Sequence, residues 1–158
     1  SKQFCTGISQ AARNQQWDAA GQLCRKFPTA ISRIVASGLS HGGDMKGMKI
    51  AFHEQMSVEA VGFKRYLDYL SAIVTISPLL GLLGTVTGMI STFSVLDNGA
   101  GASAVTGGVG EALVATATGL CVAILAFCVY TYFSHQLDTI VTDTEKVCMT
   151  VMQARKNA

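Results

Sequence analysis

The sequence predicts an all-α membrane protein with long transmembrane helices that extend into the cytoplasm. Two uncharged stretches carry this prediction, since residues 69–96 and residues 112–134 contain no Asp, Glu, Lys or Arg. A helix rising about 1.5 Å per residue needs roughly 20 apolar residues to cross a ~30 Å hydrocarbon core, and both stretches are longer. Composition agrees, because 49% of the 158 residues are hydrophobic and only 14% are charged.

The distribution of basic residues predicts the orientation of these helices. Nine of the twelve Lys and Arg residues lie in positions 1–69, and the other three follow residue 134. None lies between Asp97 and Glu111. Because basic residues favour the cytoplasmic side, we expect cytoplasmic N- and C-terminal segments and an outward-facing connection. The net charge of +2 is too small to indicate nucleic acid binding.

Helical periodicity organises the segments outside the spans. It predicts one amphipathic helix over residues 9–27, ended by Pro28, and a second helix over residues 29–39. Residues 40–44 are rich in glycine and polar side chains, which is typical of a turn. From residue 45 onward we expect a single long helix that enters the membrane without a break.

Small residues and one proline mark the spans as parts of a packed assembly. Gly81, Gly84 and Gly88 recur along the first span, and Gly119 lies in the second. Small residues at this spacing let membrane helices approach closely, so these glycines predict helix packing. Pro78 lies inside the first span and is expected to kink it.

Glu111 is the first candidate functional residue, because it opens the second uncharged stretch. An ionisable group inside a bilayer costs roughly 2.5–3.5 kcal/mol on insertion scales, so its presence indicates a function. Thr85, Thr116 and Thr118 add hydroxyl groups to the same spans, and with the carboxylate they predict a polar track for an ion. The alternative is a non-conducting membrane scaffold in which Glu111 caps a helix at the membrane surface.

No catalytic residue, metal ligand or cofactor is expected. The five cysteines occur singly without a Cys-x-x-Cys pair, and the three histidines share no metal-ligand spacing with a carboxylate. The sequence pattern brings together no nucleophile, base and orienting residue, and it contains no phosphate-binding loop. An enzyme is therefore disfavoured.

Two segments resemble the ExbB/TolQ/MotA proton-channel family. Residues 77–89, SPLLGLLGTVTGM, resemble its second membrane helix. Residues 110–120, GEALVATATGL, resemble the third helix of its ExbB and TolQ branch. The family has a first membrane helix before its cytoplasmic segment, and we expect that helix to be absent from this chain. The expected boundaries are a cytoplasmic helical segment (1–68), a membrane helix (69–96), a periplasmic loop (97–104), a membrane helix (105–133) and a cytoplasmic helical tail (134–158).

The resemblance implies a fold and a function that periodicity alone does not give. It implies a multi-pass protein of the bacterial inner membrane that forms a homopentameric ring among membrane lipids. The ring pore holds an ExbD- or TolR-like single-span subunit whose Asp carries the proton, and ion flow energises a TonB- or TolA-like protein. A MotA-like flagellar stator is the alternative within the family, although MotA proteins have four spans and a larger cytoplasmic insertion.

The family's functional residues map onto four positions of this chain. Thr85 and Thr116 match the two pore threonines that face the partner's carboxylate, and Glu111 matches the pore glutamate. Thr118 stands where a branched apolar residue is common. Because this hydroxyl could help to coordinate Na⁺, both H⁺ and Na⁺ remain candidates for the coupling ion, and H⁺ is favoured.

Overall fold

The computed structural model describes residues 2–41, 44–99 and 101–157, and every regular element in these ranges is a helix. The predicted all-α membrane fold is confirmed, because the two longest helices are each long and apolar enough to cross a membrane. The chain divides into a bundle unit (residues 1–64 and 135–158) and a hairpin unit (residues 65–134). The helices are α1 (Lys2–Arg13), α2 (Trp17–Lys26), α3 (Ala30–Ser40), α4 (Met45–Asp97) and α5 (Ala102–Lys156).

The prediction of one helix over residues 9–27 is wrong, because α1 and α2 are separate helices. Gln15 adopts a φ of 56° between them. Its N–H donates to the carbonyl of Ala12 at 3.1 Å, and the N–H of Gln16 donates to the carbonyl of Ala11 at 2.9 Å. These two bonds form the Schellman pattern, which ends a helix on a left-handed residue that is usually glycine. Since glutamine takes that position here, the sequence carries no marker of the break.

The prediction of a second helix over residues 29–39 agrees with α3 to within one residue at each end. Thr29 caps this helix by accepting a hydrogen bond from the Ser32 N–H at 3.3 Å. The Ser32 hydroxyl accepts one from the Thr29 N–H at 2.9 Å, which completes a capping box. The turn predicted over residues 40–44 lies partly outside the described residues.

The bundle unit has an apolar core to which all five helices contribute. α1 and α2 contribute side chains to this core, and α3 is buried along the stripe that its sequence pattern predicts. The N-terminal part of α4 and the C-terminal part of α5 supply the remaining side chains. The largest fully buried apolar side chains are Phe4, Ile8, Val35, Met48 and Val151.

The hairpin unit consists of the antiparallel α4 and α5 segments. Small residues face each other inside the pair, while large apolar side chains such as Leu82, Ile90, Leu113 and Leu125 remain exposed. This distribution suits a membrane, where lipid covers the apolar outside and close van der Waals packing holds the helices together. α4 runs without interruption through Pro78, and the kink expected there stays a prediction. α5 begins three residues before the predicted start of the second membrane helix at residue 105.

Candidate functional site

Glycines of α4 set the distance between the two helices of the hairpin. A Cβ atom added to Gly81 would lie 3.2 Å from the carbonyl oxygen of Thr116. A Cβ added to Gly84 would lie 2.7 Å from the Cβ of Ala115, and one added to Gly88 would lie 2.8 Å from the Cβ of Ala112. Side chains at these positions would push the helices apart.

Gly119 of α5 makes the closest approach of one backbone to the other. A Cβ at this position would lie 2.6 Å from the carbonyl oxygen of Ser77 and 2.9 Å from the Cα of Gly81. The obstacle is backbone, which cannot move aside as a flexible side chain would. All four glycines that the sequence predicted to pack helices therefore lie on the facing sides of α4 and α5.

The hydroxyl groups of Thr85 and Thr116 meet in this interface and form a short hydrogen bond with each other. Thr85 Oγ1 also lies 3.2 Å from the carbonyl oxygen of Ala112 and 3.3 Å from that of Gly81. Thr116 Oγ1 lies 3.2 Å from the same Gly81 oxygen. Both threonines are half-buried. The structure thus brings together the two threonines that the sequence predicted in the ion path.

This arrangement leaves the hydroxyl protons of the pair free to exchange between acceptors. Each hydroxyl has one proton and two acceptor lone pairs. The two protons of Thr85 and Thr116 are shared among two backbone carbonyls and the two hydroxyl oxygens themselves. Either hydroxyl can therefore rotate so that its proton leaves a backbone carbonyl and points toward a charged group nearby. Such a pair can donate hydrogen bonds to a carboxylate.

Glu111 lies beside the threonine pair and faces a different space. It precedes Ala112, whose carbonyl lies within hydrogen-bonding distance of Thr85, but its own carboxylate is exposed. The carboxylate lines an open groove of about 380 Å³ between α4 and α5. Within the described residues it has no hydrogen bond or ion pair. The groove is lined by Gly84, Thr87, Gly88, Ser91, Thr92, Val95, Ala104, Gly108, Glu111, Ala112 and Ala115.

Thr118 lies apart from the other predicted ion-path residues. It is exposed, and its hydroxyl donates to the carbonyl of Val114 in its own helix at 2.8 Å. Two residues along an α-helix correspond to a rotation of about 200°, so Thr118 points away from the side on which Thr116 lies. The Thr118 hydroxyl, which is the reason to consider Na⁺ as the coupling ion, therefore belongs neither to the threonine pair nor to the groove.

Sequence analysis missed three hydroxyl groups that the groove brings beside Glu111. Thr87, Ser91 and Thr92 all lie on its α4 wall. The hydroxyl of Thr87 donates to the Leu83 carbonyl at 2.9 Å, and that of Thr92 donates to Gly88 at 2.8 Å. The step of four residues from Thr87 to Ser91 places these two hydroxyls on one helix face, with Thr92 next to it, and this spacing is the signal that could have found them.

Comparison with known proteins gives a consistent family. The MotA/TolQ/ExbB proton channel family matches residues 27–146. The Tol-Pal system protein TolQ of Haemophilus influenzae is 30% identical over 142 residues, which cover 89% of this chain and 54% of that protein. A biopolymer transport protein ExbB-like 3 of Synechocystis sp. is 38% identical over 111 residues, or 67% of this chain and 53% of that protein. The biopolymer transport protein ExbB of Salmonella typhimurium is 39% identical over 108 residues, or 63% and 43% of the two chains. This chain spans about half the length of these relatives.

Proposed function

This chain belongs to the MotA/TolQ/ExbB proton channel family, and we propose that it is the ring subunit of an ion-driven motor in the bacterial inner membrane. Its activity is transport and energy transduction, which is not an enzyme class. Five copies form the ring, and their α4 and α5 helices surround a single-span subunit of the ExbD or TolR type. Protons that flow down the proton motive force move ring and subunit against each other, and this movement energises a TonB- or TolA-like protein.

The hydroxyl pair of Thr85 and Thr116 is the observation that carries this proposal. It lies between two helices that pack mainly through glycine and alanine, so it is a local source of hydrogen bonds at membrane depth. A carboxylate of the partner subunit that arrives without its proton is costly in such surroundings, and hydroxyl donors lower that cost. When that carboxylate takes a proton it becomes neutral and releases the hydroxyls to their carbonyls. The pair thus stabilises the partner while it is charged and withdraws from it once it is neutral.

Glu111 acts next to this pair as the acceptor that collects the ion. Glu111 lines the groove, and it directly precedes Ala112, whose carbonyl Thr85 contacts. A group that is reachable from outside and adjoins the hydroxyl pair suits the transfer of a proton between the two places. H⁺ is the favoured coupling ion, since the hydroxyl of Thr118 lies elsewhere.

Proton flux through the reconstituted complex tests the proposal. The full-length protein is co-expressed with its single-span partner, placed in liposomes that contain a pH-sensitive dye, and driven by a potassium diffusion potential. We expect Thr85→Val and Glu111→Gln to lower the flux about tenfold or more, a factor that corresponds to about 1.4 kcal/mol. Thr75→Val is the matched control, because Thr75 is an exposed α4 threonine whose hydroxyl bonds only the Ser71 carbonyl.

The same assay separates the motor from a non-conducting scaffold. A scaffold would show no flux with the native sequence, and Glu111→Gln would change thermal stability alone. Repeating the measurement with a Na⁺ gradient at constant pH and a sodium-sensitive dye tests the coupling ion. Flux that follows Na⁺ and ignores pH would overturn the assignment of H⁺.

A further inference from the structure

A small groove in the bundle unit is lined mainly by methionine. It has a volume of about 260 Å³ and is lined by Met45, Met149, Met152, Gln153 and Lys156. We call it the methionine groove. The chain has six methionines among 158 residues, yet methionine supplies three of the residues around this one groove. Three thioethers are therefore gathered at a single place, which the composition of the chain does not explain.

Two helices bring these thioethers together. Met149 and Met152 are three residues apart in α5, so they lie on the same side of that helix. Met45 is the first residue of α4 and lines the groove from the other helix. Because a methionine side chain is unbranched and has three rotatable bonds, its sulfur can change position without movement of the backbone. The three sulfurs can therefore approach one common point in the groove.

Filling of a gap in the core does not account for this arrangement. Methionine commonly fills such gaps, as Met48 does, which is only 1% exposed in the bundle core. Met149 is 65% exposed, and Met45 and Met152 are half-buried around an open space. The groove belongs to the bundle unit, outside both uncharged stretches, so a lipid environment does not explain its exposed thioethers either.

The chemistry of the groove selects a soft metal ion. Thioether sulfur is a soft, uncharged ligand that favours Cu(I), whereas Mg²⁺ and Ca²⁺ prefer oxygen ligands. Within the described residues no group of three or more His, Cys, Asp or Glu side chains is placed to hold a metal ion. Lys156 has no lone pair while it is charged, and its long stem lets the ammonium group turn toward solvent. Sulfur is therefore the ligand that this groove offers.

We propose that the methionine groove binds one Cu(I) ion through the thioethers of Met45, Met149 and Met152. The proposal goes beyond the proposed function, because it requires neither a ring nor ion flow. A bound ion links the start of α4 to the last turns of α5 within the bundle unit. Because it binds only the folded arrangement of the three sulfurs, Cu(I) also raises the melting temperature of the protein.

Competition with a coloured Cu(I) chelator tests the site. The full-length protein is purified with its partner subunit in mild detergent without oxygen, and accessible thiols such as Cys121 and Cys128 are blocked with N-ethylmaleimide. It is then titrated with Cu(I) bicinchoninate. We expect one Cu(I) per chain to pass from the chelator to the protein. Met45→Leu and Met149→Leu should each weaken binding about tenfold or more, since leucine keeps the apolar volume and removes the sulfur.

Two further variants separate metal binding from general effects. Met56→Leu is the matched control, because Met56 is half-buried in the same unit and does not line the groove. It should leave Cu(I) binding unchanged. Lys156→Gln should tighten binding several-fold, because it removes a positive charge beside the metal ion. Equal Cu(I) binding by wild type, Met45→Leu and Met149→Leu would overturn the proposal, as would a wild-type protein that takes no Cu(I) from the chelator.

Protection from oxidation gives a residue-specific readout on the unaltered sequence, so it does not depend on the folding of any variant. Hydrogen peroxide transfers one oxygen atom to the thioether sulfur, which gives the sulfoxide and water. Ag(I), a soft ion with the charge of Cu(I), occupies the sulfur lone pair that peroxide attacks. We expect Ag(I) to slow the oxidation of Met45, Met149 and Met152 together and to leave Met56 unaffected, as peptide mass spectrometry can follow. Protection of Met149 alone would refute a site made by three thioethers.

Discussion

Thr85 and Thr116 form one hydrogen-bonded unit, because each is the only side-chain partner of the other in the described residues. The remaining hydrogen bonds of the two hydroxyls all go to backbone carbonyls. Removal of one hydroxyl therefore leaves the other without its neighbour inside a tight helix interface. The two positions should behave as a coupled pair in stability as well as in function.

A double-mutant cycle measures this coupling. Thr85→Val or Thr116→Val alone should each lower the unfolding free energy by about 1 kcal/mol, since a half-buried hydroxyl loses its partner. The double variant should lose less than the sum of the two, because the bond between the two hydroxyls can be lost only once. The measurement is thermal unfolding of the full complex in mild detergent. Strict additivity would contradict the coupled pair.

Gly119 is predicted to be the least replaceable of the packing glycines. Gly119→Ala places a methyl group against the carbonyl of Ser77 and the backbone of Gly81, so the helices must separate. Overpacking of this kind costs about 1–3 kcal/mol, and we expect a correspondingly lower melting temperature in detergent.

Gly107→Ala is the control for that substitution. Gly107 lies in the same helix, and a Cβ there has no atom within 4 Å. Alanine in a helix interior is favoured over glycine by about 0.5–1 kcal/mol, so this variant should be neutral or slightly stabilising. A Gly119→Ala protein as stable as Gly107→Ala would show that the α4 and α5 backbones do not approach as described.

Arg33 and Glu59 tie α3 to α4 inside the bundle unit through two hydrogen bonds of 2.5 and 2.7 Å. The Arg33 guanidinium holds the pKa of the Glu59 carboxyl below its usual value, with a further hydrogen bond from Gln55. Glu59→Gln should lower the melting temperature at neutral pH. Glu54→Gln is the control, because Glu54 is exposed and forms no ion pair within the described residues.

The pH dependence of this difference has a defined sign. A carboxyl whose pKa is lower in the folded state stabilises the fold fully above its unfolded pKa, which is about 4.3 for glutamate. That contribution is lost as the pH falls through the lowered folded pKa of Glu59. The melting curves of wild type and Glu59→Gln should therefore differ at pH 7 and converge in strong acid. A difference that persists unchanged at low pH would assign the effect to packing instead of charge.

The sequence predicted the parts of this fold that depend on composition and short spacing. The length of the two uncharged stretches predicted the two membrane helices. The spacing of Gly81, Gly84 and Gly88 by three and four residues predicted that they pack against another helix. Spacing within a single helix reports which residues share a side and gives no information on which side faces the neighbouring helix. The family resemblance assigned both Thr85 and Thr116 to the ion path, whereas the hydrogen bond between them across the interface is visible only in the structure.

Other features depend on backbone and side-chain geometry that the residue types do not predict. The break between α1 and α2 relies on a left-handed glutamine at Gln15, where glycine would have marked it. Thr118 carries a hydroxyl as an ion-path residue would, yet its position two residues after Thr116 places it on the opposite side of the helix. The spacing of Thr87 and Ser91 indicates that they share a helix face, but only the structure shows that this face lies across the groove from Glu111.

Cys148 is predicted to be inert toward thiol reagents in the folded protein. Burial in the bundle core, together with the nearby charge of Glu145, raises the pKa of its thiol to about 12. Only the thiolate reacts, and at pH 8 a thiol of that pKa is ionised in about one molecule in ten thousand. N-ethylmaleimide at pH 8 should therefore leave Cys148 unmodified in native membranes and modify it after denaturation, as peptide mass spectrometry can follow. Gln22→Cys supplies an exposed bundle-unit thiol that should react at once, and equal rates at both positions would contradict the packed core around Cys148.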